Sequence, residues 1–216
     1  MAMKAPDEMK ETGADRADAF ARLVEAAQGC RACARMEGRR RLLSSANGTI
    51  SPRVCFIAEA PGRLGGDRTA VPLSGDQSGR NFELLLGAAE LERSAVFITN
   101  AVLCNPRDHA GRNAPPSPLE IGNCAAFLEE TLRILQPPIV VTLGLVALRA
   151  LARIEPHAAT LAGNVADVIP WNGRWLVPLY HPGPRARIHR SFHQQAGDFQ
   201  RLGAFVWESC LDRSRP

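Results

Sequence analysis

The 216-residue chain has no apolar run long enough to cross a bilayer. Its opening residues, Met1 to Asp15, are polar and mixed in charge and hold no apolar signal core. They read as a flexible N-terminal tail (1–15) rather than a targeting segment. No internal repeat and no low-complexity tract appears, so no repeat architecture is expected. No glycine-rich stretch ends in the Lys-Ser/Thr pair of a nucleotide P-loop, which argues against ATP binding. Charge of one sign is also scarce: the formal net charge is only +4. That permits a nucleic-acid partner without requiring one. What remains is a soluble chain, expected in the cytoplasm, or nucleoid-associated if it binds DNA. Residues 16–216 are expected to form one domain.

Six cysteines are present. In a cytosolic chain of this size they argue for metal, redox or burial roles rather than a disulfide framework. A helical apolar spacing (Phe20, Leu23, Val24, Ala27) runs over Asp18 to Ala27 and stops at Gly29. Cys30 and Cys33 follow in a Cys-x-x-Cys turn, which suits one metal or cluster, or a redox pair. The turn follows a helix and precedes the basic run Arg35 to Arg41, so two partner ligands are expected elsewhere. Cys55 within a strand and Cys210 near a helix end read as buried small hydrophobes.

Residues 54 to 58 form a short apolar run that reads as a buried strand and breaks at Ala60-Pro61-Gly62. Glu59 stands at the break. Gly62 to Gly79 reads as a long functional loop leading to a helix over Asn81 to Glu90. Ala95 to Val102 is a second strand carrying Asn100, and Cys104 follows at once. Ser117 and Glu120 form a capping box with Pro118 at the first helical position, and the helix that follows contains Cys124. Ile139 to Leu143 is a third strand, and Leu145 to about Arg153 a helix. Val165 to Pro170 and Trp175 to Leu179 read as strands joined through Asn172-Gly173. The last of these runs into His181-Pro182-Gly183, a basic segment and a final helix. Alternating strands and helices predict an α/β fold, a three-layer α/β/α sandwich with a mostly parallel central sheet. In such sheets chemistry collects at strand carboxyl ends, where Glu59, Asn100 and His181 are expected to converge.

At these residues the chain resembles the uracil-DNA glycosylase superfamily, in its iron–sulfur branches, the fourth and fifth families. Glu59-Ala60-Pro61-Gly62 is similar to the first motif of the fourth family. Residues 98–104 resemble the strand carrying the base-reading Asn and a cluster Cys, and His181-Pro182 resembles the second catalytic motif. Cys30, Cys33, Cys104 and Cys124 fall where that branch holds a four-iron four-sulfur cluster. The chain departs from the pattern at Leu73, where those families usually carry a Phe that stacks on the base. The glycine-rich loop around Asp76 looks more like the fifth family, whereas Glu59 looks like the fourth.

The resemblance implies a monofunctional enzyme that flips uracil out of DNA, excises it and leaves an abasic site for base-excision repair. His181 would donate a hydrogen bond to the oxyanion developing on the base. Asn100 would read the uracil edge, which its paired donor and acceptor can distinguish from cytosine. Glu59 would orient or deprotonate water. Ala60, Pro61, Gly62 and Leu73 would line the base pocket. Arg185, Arg187, His189 and Arg190 would contact the DNA, with Arg185 nearest the wedge that fills the vacated stack. The four cysteines would hold a structural cluster without a redox role; zinc on the same thiolates is the physical alternative. No lysine is placed to form a Schiff base. A covalent role for His109 is disfavoured, because the residues around it do not match the divergent branch that has one. DNA containing uracil is the implied partner, with the protein a monomer and no membrane involved. The alternatives are a broader glycosylase for hypoxanthine, xanthine or mismatched thymine, and a weakly active lesion sensor.

Overall fold

The computed structural model describes residues 13–212. Residues 1–12 of the expected tail lie outside this range, and helix α1 (Gly13–Gly29) already covers the tail's last three positions. The other helices are α2 (Gly66–Thr69), α3 (Gln77–Ala88), α4 (Pro118–Leu135), α5 (Leu145–Leu151) and α6 (Phe192–Asp212). Five strands, β1 (Val54–Ala58), β2 (Val96–Asn100), β3 (Ile139–Leu143), β4 (Ile169–Trp171) and β5 (Arg174–Leu179), form one sheet in the order β2-β1-β3-β5-β4. All pairings are parallel except that of β4 with β5.

Every residue of β1, β2 and β3 is buried, as expected of parallel strands covered on both faces. Side chains alternate between two cores. Cys55 and Ile57 face a cluster with Phe20, Leu132 and Leu148, which α1, α4 and α5 supply. Val54, Phe56 and Ala58 face a second cluster with Phe82, Leu85 and Phe199, from α3 and α6. Phe56 packs edge-on to Phe82 at 5.2 Å and parallel to Phe199 at 6.1 Å. The three-layer α/β/α arrangement follows. No helix among the described residues is long and apolar enough to cross a membrane.

The capping box at Ser117 and Glu120 forms as expected, each side chain bonding the other residue's backbone N–H. Strand β2 is shorter than expected, Val96–Asn100 instead of Ala95 to Val102, helix α1 is longer, and three further boundaries differ. The loop after Gly62 contains the single turn α2 and ends early, because the Asp76 carboxylate accepts the Gly79 N–H and starts α3 at Gln77 rather than Asn81. Strand β4 begins at Ile169, not Val165: Asn164 and Asp167 close a turn, and Ala166 adopts a left-handed φ of 61° that interrupts extended chain. Helix α5 ends at Leu151.

Candidate functional site

A cavity of about 410 Å³ opens at the carboxyl edge of the sheet, with Glu59, Leu73, Asp76, His181 and Arg185 among its walls. Glu59 is the first residue after β1. Its carbonyl accepts the Val102 N–H at 3.1 Å, so the turn at the strand end is tied to the continuation of β2. Burial raises the Glu59 carboxyl above its ordinary pKa, and the nearby Arg185 charge partly offsets this.

His181 leaves β5 on the same edge. Its Nδ1 accepts the Gly183 backbone N–H at 2.9 Å. A ring nitrogen that accepts carries no proton, so the neutral imidazole bears its hydrogen on Nε2. Burial pushes the His181 pKa down to about 4, against the opposing pull of the Asp76 carboxylate. The side chain is therefore neutral near pH 7 and a donor at Nε2. Gly183 is required here, since a Cβ would stand 2.8 Å from Nδ1.

The opposite wall is built by a carboxylate that sequence reasoning passed over. Asp76 caps α3 with one oxygen, and its Oδ2 faces the first-motif loop so closely that a Cβ on Gly65 would lie 2.4 Å away. Leu73 sits beside it with φ of 44°, a left-handed conformation that costs a bulky residue energy and recurs at functional sites. Arg93 donates to the carbonyls of both Pro72 and Leu73, which holds that turn in place.

Two asparagines complete the rim. Asn105 Nδ2 donates to the Pro61 carbonyl at 2.6 Å and to Asn113 Oδ1 at 3.0 Å, and Arg107 Nε donates to Asn105 Oδ1 at 2.6 Å. Arg107 also pairs with Asp67 at 2.5 Å. Asn113 Oδ1 accepts the Arg63 N–H at 2.9 Å. The loop after Cys104 thereby holds the Ala60-Pro61-Gly62 turn from outside.

Asn100 is not on the cavity wall. It ends β2 opposite Ala58, whose chain neighbour Glu59 is on the wall. The residue is 4% exposed, and its Nδ2 has no partner among the described residues. A buried, unpaired amide donor one residue from the cavity calls for a ligand or a water.

Cys30, Cys33, Cys104 and Cys124 line one small hollow together with Met36, Arg41 and Val102. Burial pushes the Cys104 thiol up to about 12 and Cys124 up to about 11, with the neighbouring cysteines adding to both. Asn123 Nδ2 points at Cys33 Sγ from 3.3 Å. Among the described residues no three His, Cys, Asp or Glu gather tightly enough to hold one metal ion.

Residues 46–202 match the family model of the uracil DNA glycosylase superfamily. The chain belongs to that superfamily. It is 33% identical over 150 residues to the Type-5 uracil-DNA glycosylase of Pyrobaculum aerophilum, covering 63% of this chain and 64% of the relative, so it spans just under two thirds of that protein. It is 30% identical to the Type-4 uracil-DNA glycosylase of Thermotoga maritima, over 73% of this chain and 78% of the relative. A Type-4 enzyme of Pyrobaculum aerophilum is 28% identical over 89% of this chain and 95% of the relative.

Within this glycosylase fold the cavity gathers Glu59, Ala60, Pro61, Gly62, Leu73, His181 and Arg185. The basic segment, Arg185 to His193, begins in a 3-10 helix, Pro184–Ile188, at its rim. Arg187 lies over the Phe192 ring at 5.2 Å and His189 stacks on Tyr180 at 6.5 Å. Arg190 makes a two-point pair with buried Asp198, at 2.8 and 2.6 Å, so its guanidinium is an internal anchor rather than a free cation. His109 is exposed on the turn closed by Asp108 and does not line the cavity.

The buried imidazole has a consequence for stability. A folded pKa of about 4 lies below the ordinary value of 6.5, so the unfolded chain takes up the proton more readily. Stability is therefore full above pH 6.5 and falls as pH drops toward 4, by at most about 3 kcal/mol. His181→Asn is expected to remove that part of the acid-side loss. Denaturant unfolding at a series of pH values checks it; parallel curves for both proteins would contradict the buried neutral ring.

Proposed function

We propose that this protein is a monofunctional uracil-DNA glycosylase that acts as a monomer on uracil-containing DNA and leaves an abasic site. The observation that carries the reading is a neutral His181, with its proton on Nε2, in one cavity with the Glu59 carboxylate. Cleaving the sugar–base bond leaves negative charge on uracil. A donor already held in place stabilises that charge as it develops, and removing such a donor typically costs about a hundredfold or more in rate.

Asn100 reads the base: its unpaired Nδ2 is available to a uracil carbonyl oxygen, and an amide oxygen is the acceptor that N3–H needs. Glu59, opposite Arg185, orients the water that attacks the sugar, and Asp76 is a second carboxylate able to hold that water. Leu73 covers the base by apolar contact. Arg185 and Arg187 contact phosphates, and His189 stands beside them. Within the Arg185 neighbourhood the wedge is assigned to Ile188. Ile188 is 82% exposed, follows Arg187 at the end of the rim helix, and apolar side chains are the ones inserted between base steps. The cavity volume and the absence of an aromatic wall at Leu73 favour one second reading, a broader glycosylase that also accepts hypoxanthine.

Cys30, Cys33, Cys104 and Cys124 would hold a four-iron four-sulfur cluster. Zinc draws its thiolates to about 2.3 Å from a single centre. The four thiols line one hollow, and the resemblance to the iron–sulfur branches is what favours a cluster with one thiolate per iron over zinc. When bound, the cluster supplies a cross-link between the Cys30–Cys33 turn, the end of β2 and α4. Anaerobically purified protein is expected to contain about four iron and four sulfide per chain. Stoichiometric zinc would replace this assignment.

The deciding experiment is cleavage of labelled duplexes carrying one uracil, one hypoxanthine or one thymine mismatch, followed by alkali. Strand breakage only after alkali, chiefly at uracil, is expected, with His181→Ala slower by about a hundredfold or more. Breakage at several bases supports the broader reading; binding without breakage refutes turnover. Ile188→Ala is expected to slow excision from duplex more than from single strands, because only the duplex has a stack to fill. Equal losses on both substrates would remove Ile188 from the wedge.

A further inference from the structure

Asn81 is 2% exposed on the face of α3 that otherwise buries Phe82 and Leu85, a costly place for an amide unless every group is paired. Its Nδ2 donates to the Pro182 carbonyl at 2.6 Å. Its Oδ1 accepts from Gln77 Nε2 at 2.9 Å and from Arg187 Nη2 at 3.1 Å. These partners fix the amide's orientation, since a carbonyl only accepts and a guanidinium only donates.

The Pro182 carbonyl and the Gly183 N–H belong to one peptide unit. That unit therefore accepts from Asn81 at one end and donates to His181 Nδ1 at the other. Peptide planes are rigid, so fixing the carbonyl fixes the N–H, and successive hydrogen bonds polarise one another. The donor that decides which nitrogen of His181 carries the proton is thus aimed by a side chain on α3. The same Asn81 oxygen reaches Arg187, on the segment facing DNA.

We infer that Asn81 is a positioning residue for the glycosylase reaction: through the Pro182–Gly183 peptide it sets the tautomer of His181, and through Arg187 it ties that setting to the DNA-contacting segment. The inference rests on the function proposed above. An ionised aspartate at this position keeps the acceptors for Gln77 and Arg187 but cannot donate to Pro182. Leucine removes both connections at similar volume.

The test pairs single-turnover uracil excision with imidazole 15N spectra of His181 and with affinity for an abasic duplex. Asn81→Asp is expected to excise about a hundredfold more slowly, the loss typical of a misplaced reacting group. Its duplex affinity should change little, and its His181 spectrum should show mixed tautomers in place of Nε2–H alone. Asn81→Leu should lose rate and also weaken duplex binding. If the leucine variant does not fold, the aspartate variant decides alone. Wild-type rate and an unchanged His181 spectrum in Asn81→Asp would overturn the inference, as would a lost rate with the spectrum unchanged. If the unsubstituted protein does not excise uracil, the functional reading falls while the 15N comparison still judges Asn81.

Discussion

Parallel pairing of β1 with β2 and β3, and of β3 with β5, is the constraint on which the site depends. It turns four strand ends to one edge, so Glu59, Asn100 and His181 share a neighbourhood although they are far apart in sequence. The chain steps from β1 to β2 on one side and then to β3 on the other, which opens the crevice where ligands of such sheets bind. Strand β3 lies between β1 and β5 and is followed by Gly144, whose φ of 98° is one that L side chains rarely adopt. A Cβ at Gly144 would stand only at ordinary contact distance from the His181 Cβ, so the glycine answers to its backbone conformation rather than to a lack of space.

Beyond the strand ends the backbone has no ladder, and each irregular turn must have its polar groups satisfied in another way. Side chains do this around the cavity. Asn105 holds the Pro61 carbonyl, Asn81 the Pro182 carbonyl and Arg93 those of Pro72 and Leu73, while Asp76 holds the Gly79 N–H. Each bond contributes only about 1 kcal/mol net, but leaving a buried partner unpaired costs about 1–3 kcal/mol. That asymmetry makes the loops specific: an alternative loop conformation would strand several groups at once.

This division explains what was legible in the sequence. Strands β1 and β3 were readable because unbroken apolar runs between turn signals fit a doubly covered strand, and the Ser117–Glu120 box because its spacing is local. The Cys30–Cys33 turn was readable from its spacing, whereas Cys104 and Cys124 were joined to it only through the family resemblance. Asp76 was missed because it sits in a Gly-rich stretch that reads as loop, although an Asp three residues before a backbone N–H at a helix start is a capping signal. Asn81 looked like an ordinary helical residue; only the fold reveals that its position faces inward, toward Pro182, 101 residues away in the chain. Arg190 read as one of a row of cations, because its pairing with Asp198 joins a loop to a helix and has no fixed spacing. Exposure, which separates Ile188 from the apolar residues of the core, has no signature in a short segment.

The segment from Ala101 to Asn105 shows how closely the cysteine hollow and the cavity are joined. Ala101 N–H bonds the Ala58 carbonyl and Val102 N–H the Glu59 carbonyl, so β2 continues to brace the first motif past its own end. The Leu103 carbonyl accepts the Leu42 N–H, which draws in the chain that follows the Cys30–Cys33 turn. Cys104 then faces the hollow, and its neighbour Asn105 grips Pro61. Ala60 packs against the group formed by Met36, Val102, Cys104 and Cys124. A displacement at the thiols therefore reaches the first motif through one peptide bond and one hydrogen bond. A group held by all four cysteines would therefore also limit how far Glu59 can move. The hollow thus bears on the cavity by fixing the position of a loop, with none of its own atoms needed on the cavity wall.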